Sequence, residues 1–355
     1  MHRVMIHPAS YENCQKAIDR AFELFPQQIK GKKVVIKPNV LRISTADEHI
    51  VTHPAILRAV VDKVETLSPS ELIVGDNPGL FAYGDNKLSF EKTGLMDASK
   101  GYYRNLGDFS TQLDFNPDFL PHVGVSKAIM EADILISLPK FKTHGLTVLT
   151  GAIKNSYGLL PGAQKARLHQ IARSPERFHE MIVDVFRLRV PDLFIMDAVI
   201  GMEGNGPASP DLREIGVVLA ADNGVAMDGV VARMMGLDPA ELRFLCKARE
   251  MGLGNFESDS LELDGDMPIL SDFLLPPLSG EIIASNPAIS DMMHAKMRLL
   301  PRADSELCTA CEACIEQCPA SALYMAEDIP KVHMDMCITC FCCQEICPEK
   351  AMTLQ

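Results

Sequence analysis

The chain has 355 residues, 47% of them hydrophobic, and a formal net charge of −13. That length exceeds the usual single domain and can bury a sizeable core, while the acidic balance argues against a general nucleic-acid binder, which leaves a basic footprint. No apolar run approaches the ~20 residues of a membrane span, and the opening MHRVMIHPASYENCQ lacks the apolar core of a secretion signal, so a cytoplasmic protein is expected.

Strand and helix signals then alternate along the chain. KKVVIKPNV is a short β-rich run ended by Pro38 and Asn39. HPAILRAVVDKVETLS has helical spacing, with Ile56, Val60, Val61 and Val64 on one face and Pro54 near its start. ELIVGDNPG predicts a second strand closed by a turn that includes Gly79, and SKAIMEADILISLPK a helix running into a third. A glycine-rich loop follows, then the helix FHEMIVDVFRLRV, the strand and loop PDLFIMDAVIGMEGNG, and the strand and helix EIGVVLAADNGVAMDGVVARMMG. The strands are apolar on both faces, as in a sheet covered by helices. This alternation predicts an α/β domain over residues 1–300, with a mostly parallel sheet flanked by helices. The methionine-rich DMMHAKMRLLP is expected to be a packing helix before a second domain at 301–355.

Polar residues recur after the predicted strands. Lys37 and Asn39 follow the first; Asp76 and Asn77 the second; Lys140, Lys142, Thr143 and His144 the third; Asp197, Glu203 and Asn205 the fourth; Asp222 and Asn223 the fifth. In an open parallel sheet these ends share one edge, where ligands bind; singly, each is equally a turn residue. From Ile134 to Pro175 there is no Asp or Glu, yet Lys140, Lys142, Lys154, Lys165, Arg167, Arg173, His144 and His169 lie there. Such a patch in an acidic chain suggests a small anionic ligand, the alternative being a solvated basic loop. Gly151, Gly158 and Gly162 in GAIKNSYGLLPG would let backbone amides approach a phosphate or carboxylate, beside Lys154 and Asn155. Neither a phosphate-binding G-x4-G-K-[ST] loop nor G-x-G-x-x-G after a strand is present.

Of eleven cysteines, nine fall between Cys308 and Cys347. CTACEACIEQCP and CITCFCCQEICP each follow C-x2-C-x2-C-x3-C-P, the run that wraps three corners of a 4Fe-4S cubane and lends its fourth cysteine to the other cluster. One cluster is expected on Cys308, Cys311, Cys314 and Cys347, the second on Cys337, Cys340, Cys343 and Cys318. A zinc site is the alternative, but it prefers paired C-x2-C units. Cys342 falls outside both registers and is expected to pack without ligating. ALYMAEDIPKVHMD between the runs suits a pair of short strands, and this region resembles bacterial two-cluster ferredoxins. From Pro301 onward Asp and Glu number nine against three Lys and Arg, a surface that would favour a basic redox partner or equally keep the module soluble.

VVIKPNV, VTHPAILRAVVD, ELIVGDNPG, ADILISLPKFKTHGLTVLTGAIKNSYGLLPG and GMEGNGP together resemble the domain-of-unknown-function 362 family, many of whose members carry a ferredoxin-type tail. The K-x-K-T-H and G-x-x-K-N elements carry the likeness, which spans most of residues 30 to 240. Lys154 and THPAILRAVVD are also similar in pattern to the lactate racemase family, where a lysine can carry a nickel pincer nucleotide, although Lys154 to Pro161 is a longer spacing.

The expected function is that of an anaerobic oxidoreductase, with two clusters bringing low-potential electrons to an anionic substrate or further cofactor. His144, Lys142 and Lys154 are its candidate catalytic residues, His144 as general acid. Lys37, Asn39, Asp76, Asn77, Lys140, Thr143, Gly151, Asn155, Asp197 and Asn205 are the candidate binding residues. The alternatives are an electron carrier docking a partner enzyme, and a non-redox isomerase with structural clusters. No nucleic-acid or membrane partner is expected, and the oligomeric state stays open.

Overall fold

The computed structural model describes residues 1–78, 85–172, 174–276, 300–337, 340 and 342–354. Gly79, Arg173 and most of DMMHAKMRLLP lie outside the described residues. The amino-terminal part runs β1 (His2–Pro8), α1 (Gln15–Leu24), β2 (Lys33–Pro38), α2 (Pro54–Thr66), β3 (Glu71–Val74), α3 (Asp85–Lys92) and α4 (Leu95–Ala98). A hairpin of β4 (Ser110–Asp114) and β5 (His122–Ser126) precedes α5 (Lys127–Met130), β6 (Ile134–Leu138), β7 (Lys140–His144) and β8 (Val148–Leu149). Helices α6 (Gly151–Asn155), α7 (Gly162–Ala172) and α8 (Pro175–Phe186) lead to β9 (Leu193–Met202) and β10 (Leu212–Ala221), then α9 (Gly224–Met234), α10 (Arg243–Glu250) and β11 (Leu261–Asp264).

The sheet order is β11-β1-β10-β9-β6-β2-β3, with β7 on β9 and β8 on β7. Strands β9, β6, β2 and β3 run parallel, and β7 pairs parallel with β9. Period-two alternation assigns each strand's side chains to two cores. Val34, Ile36, Leu72, Val74, Ile136 and Ile195 face one core with α1 and α2. Val35, Ile73, Leu135, Phe194 and Met196 face the other with α6, α8, α9 and α10. This three-layer packing is why the central strands are apolar throughout. Helix starts follow local chemistry: His53 caps α2 with Pro54 next, and Ser174 caps α8 with Pro175 next.

Two expectations are corrected here. The segment after Pro139 is the strand β7 rather than part of a loop; it carries the line of β6 on along β9 and sets Lys140 opposite Asp197. Strand β10 runs antiparallel to β9, with Ala221 opposite Phe194. Asp222 and Asn223 therefore lie at the opposite edge from the other strand-end residues, and Asn223 caps α9 by accepting from the Ala226 amide at 3.0 Å.

The chain leaves β2 for β3 on one side and returns to β6 on the other. The loops after β2 and β6 thus flank a topological switch point, where open α/β sheets bind ligands. The carboxyl-terminal module packs near this edge. It contains β12 (Pro301–Ala303), α11 (Ala313–Glu316), β13 (Leu323–Ala326), β14 (Ile329–Val332), α12 (Cys342–Ile346) and β15 (Met352–Leu354). The antiparallel β13–β14 pair is the one expected between the cysteine runs.

Candidate functional site

A pocket of about 740 Å³, its open mouth included, lies between the α/β domain and the module. The loops after β2 and β3 supply Asn39, Asp76 and Asn77. Helix α6 and the turn after it supply Lys154, Asn155 and Tyr157, and α7 supplies Lys165 and His169. The module closes it with Gln317, Cys342 and Glu345. Expected and observed residues therefore meet in Asn39, Asp76, Asn77, Lys154 and Asn155. Lys165, His169 and Tyr157 were not singled out as site residues, although the i,i+4 spacing of Lys165 and His169 puts them on one helix face. Gln317, Cys342 and Glu345 come from a segment assigned to the clusters alone. Cys342, expected merely to pack, is part of the pocket wall.

The floor is a buried polar lattice. Lys37 Nζ pairs with Asp76 Oδ1 at 2.8 Å, both side chains almost fully buried. Lys37 Nζ and Asn39 Nδ2 both donate to Asn155 Oδ1, at 3.2 and 3.1 Å. Asn155 Nδ2 donates to Ser137 Oγ at 2.8 Å, and Asp76 Oδ2 accepts from the Val40 amide at 2.8 Å. Burial lowers the Lys37 pKa, with Asp76 opposing it. Above this floor Lys154 is half-buried. No carboxylate among the described residues pairs with its ammonium, and its Nζ lies 5.8 Å from the Tyr157 ring centroid. Burial lowers its pKa too. Lys165 Nζ donates to the Asn77 carbonyl, and burial brings its pKa down to about 7.

The expected cationic patch is thus mostly buried, although Arg167 is exposed. Lys140, Lys142, Lys165, His144 and His169 are all buried. Lys140 Nζ pairs with Asp197 Oδ2 at 2.8 Å and donates to Tyr11 Oη at 3.1 Å. His53 stacks on Tyr11 with centroids 3.6 Å apart, and the His53 amide donates to Asp197 Oδ2 at 2.9 Å. This second polar cluster is separate from the pocket walls. Lys142 Nζ donates to the Ile50 carbonyl at 2.7 Å. Burial, with Lys154 nearby, takes the Lys142 pKa well below its ordinary value. Thr143 is fully buried beneath Gly206.

His144 also lies off the pocket. Its Nδ1 accepts from the Leu146 amide at 3.1 Å, which leaves Nε2 to face Glu345 Oε1 at 3.1 Å. Burial, with the Lys154 charge, lowers its pKa to about 3. It is a neutral ring that orients Glu345, not a proton donor poised near neutrality. Asn205 sits at the module contact, its carbonyl accepting from Gln344 Nε2 at 3.2 Å. Lys350 Nζ adds a contact to Glu48 at 3.7 Å.

The expected glycine cradle holds one of the protein's own carboxylates. Asp228 accepts from the amides of Ala152 and Ile153, at 2.6 and 3.0 Å. Gly151 has φ +58, and a Cβ there would overlap the Asp228 carboxylate. A Cβ on Gly158 would overlap Asp76 and Lys37. Both glycines serve close packing that aims α6 at the pocket.

The module's thiols fit iron–sulfur binding. Cys308, Cys311, Cys314 and Cys347 line one cavity. The thiol of Cys343 is pushed well up by burial and by Cys340, Cys337, Cys314 and Cys318 around it. Cys318 Sγ accepts from the Ala322 amide at 3.2 Å and Cys347 Sγ from the Ala351 amide at 3.3 Å, the same bond at the fourth cysteine of each run. Amides aimed at sulfur suit thiolates bound to iron. Among the described residues no group of three or more acids, histidines or cysteines could hold a single metal ion.

Fold and thiol arrangement together define an iron–sulfur protein with an α/β domain. Residues 300–348 match the 4Fe-4S dicluster domain. Residues 34–233 match the domain of unknown function DUF362, and the chain belongs to that family. A thylakoid-associated protein of Synechocystis sp. is 32% identical over 225 residues, 63% of this chain and 69% of that one. Among solved structures, the lactate racemase apoprotein from Thermoanaerobacterium thermosaccharolyticum aligns with TM-score 0.43 and 12% identity, over 63% of this chain and 54% of that one. A Thermotoga maritima protein aligns with TM-score 0.40 and 11% identity, over 68% of this chain and 60% of that one. The chain thus spans little more than half the length of these two structures. Among the described residues no helix is long and apolar enough to cross a membrane.

Proposed function

We propose that the chain is an oxidoreductase in which two 4Fe-4S clusters deliver electrons singly to an anionic ligand bound in the pocket. The observation that carries this reading is the shared wall: Lys154, an ammonium with no carboxylate partner among the described residues, faces the same space as Gln317, Cys342 and Glu345. Gln317 neighbours Cys318, and Cys342 lies between Cys340 and Cys343. The pocket therefore abuts the ligands assigned to the second cluster. The clusters, when bound, supply one-electron transfer at low potential. Lys154 and Lys165 attract and orient the anion, in a site that strengthens each charge by limiting water. The Lys37–Asp76 pair and Asn155 hold the floor rigid. His144 fixes Glu345, and with it the seam between module and domain.

The test is anaerobic. Dithionite-reduced protein is mixed with the low-mass fraction of a bacterial cell extract, and reoxidation is followed by cluster absorbance. The wild type should reoxidise and Lys154→Met should not. Equal rates in the two proteins, or no reoxidation in either, would remove the reading. A carrier reading draws on the acidic module, with Asp and Glu nine against three Lys and Arg from Pro301 onward. It predicts salt-sensitive reoxidation by a basic partner protein in both proteins alike.

A further inference from the structure

The pocket carries more acceptors than its charge alone suggests. His169 is more than nine-tenths buried in its wall. His169 Nδ1 lies 2.9 Å from the Lys165 carbonyl and 3.1 Å from Tyr157 Oη. A carbonyl only accepts, so Nδ1 carries the ring proton. Tyr157 Oη donates its own proton to the Lys165 carbonyl at 2.8 Å. His169 Nε2 is left as a bare acceptor with no partner among the described residues. Asn39 shows the same pattern. Lys37 cannot accept, so Asn155 Oδ1 must face it, and Asn39 Nδ2 must then face Asn155 Oδ1. Asn39 Oδ1 is fixed as a second acceptor that has no partner among the described residues. Buried acceptors without donors are costly and rare, and the presence of these two in the lining of one pocket calls for a ligand that donates.

Resting on the reading of this pocket as the ligand site, we infer that the ligand is a hydroxylated anion. Its anionic group meets Lys154, and its hydroxyls donate to His169 Nε2 and Asn39 Oδ1. A bare metal cation would face Lys154 and Lys165 instead. A plain anion would leave both acceptors unsatisfied. Hydroxyls suit the site in both directions, since they also accept from the lysines.

Isothermal titration of the anaerobic, cluster-loaded protein separates the elements, using glycerate, propionate and glycerol as probes. Glycerate carries charge and hydroxyls, propionate only charge, glycerol only hydroxyls. Glycerate should bind at least about tenfold tighter than either of the others. His169→Phe should bring glycerate down to the level of propionate and leave propionate unchanged. His169→Gln, which keeps an acceptor, should recover part of the preference. Lys154→Met should weaken both acids. Equal binding of glycerate and propionate in the wild type, or an equal loss of both in His169→Phe, would overturn the inference while a Lys154 effect keeps the site itself. Acid binding that ignores Lys154→Met, or no binding at all, would overturn both.

Discussion

Gly151→Ala tests how the pocket's lysine is aimed. Gly151 opens α6, the helix that carries Lys154 and Asn155. An alanine at φ +58 costs about 1–2 kcal/mol in backbone strain. The added Cβ would also overlap the Asp228 carboxylate, which accepts from the Ala152 amide at 2.6 Å and the Ile153 amide at 3.0 Å. Burial raises the Asp228 pKa to about 7, and leaving one of its buried bonds unmade costs about 1–3 kcal/mol. The expected destabilisation is therefore about 2–5 kcal/mol, read as a lowered midpoint in anaerobic urea unfolding followed by circular dichroism. Gly216 supplies the control, with φ +74 and nothing within 4 Å of an added Cβ. Gly216→Ala should cost the strain alone, about 1–2 kcal/mol. In an Asp228→Ala background Gly151→Ala should also fall to that level. Equal costs for the two glycines, or an unchanged Gly151→Ala cost without Asp228, would refute the clamp.

Asp76→Asn leaves Lys37 buried without its partner, and stability should fall by about 3–5 kcal/mol; a loss below about 1 kcal/mol on thermal unfolding would mean that Lys37 is already neutral. Anion binding should weaken as pH rises from 6 to 8. Burial sets the Lys165 pKa at about 7, so its ammonium is charged below that pH and neutral above it; titration of glycerate across the range checks the sign, and Lys165→Met should flatten the profile. Iron analysis of anaerobically purified protein should give about eight irons per chain, about four in Cys347→Ser, and an unchanged content in Cys342→Ser. A loss of iron in Cys342→Ser would make that thiol a ligand.

The legibility of this chain followed the range of the interactions concerned. The cluster cysteines could be read because their spacing is local: three thiols from one tight loop reach one cubane, whatever the rest of the chain does. The covered sheet could be read because strands apolar on both faces need helices on both sides. The direction of β10 could not, since nothing in EIGVVLAAD distinguishes a strand running up from one running down. Strand β7 was obscured by its own lysines, which resemble a solvated loop until Asp197 is placed opposite Lys140 and the Ile50 carbonyl beside Lys142. The acid-free window has the same cause. Its carboxylates were not missing but supplied from elsewhere: Asp76 in the lattice below Lys154, Asp197 for Lys140, Asp228 for the start of α6, and Glu345 from the module. Buried lysines require such partners, so a run of cations without acids marks a segment that the rest of the fold closes around. Lys154 and Lys165 are the members of that run that line the pocket with no carboxylate on either ammonium among the described residues, and this distinguishes the residues that bind from those that hold the structure.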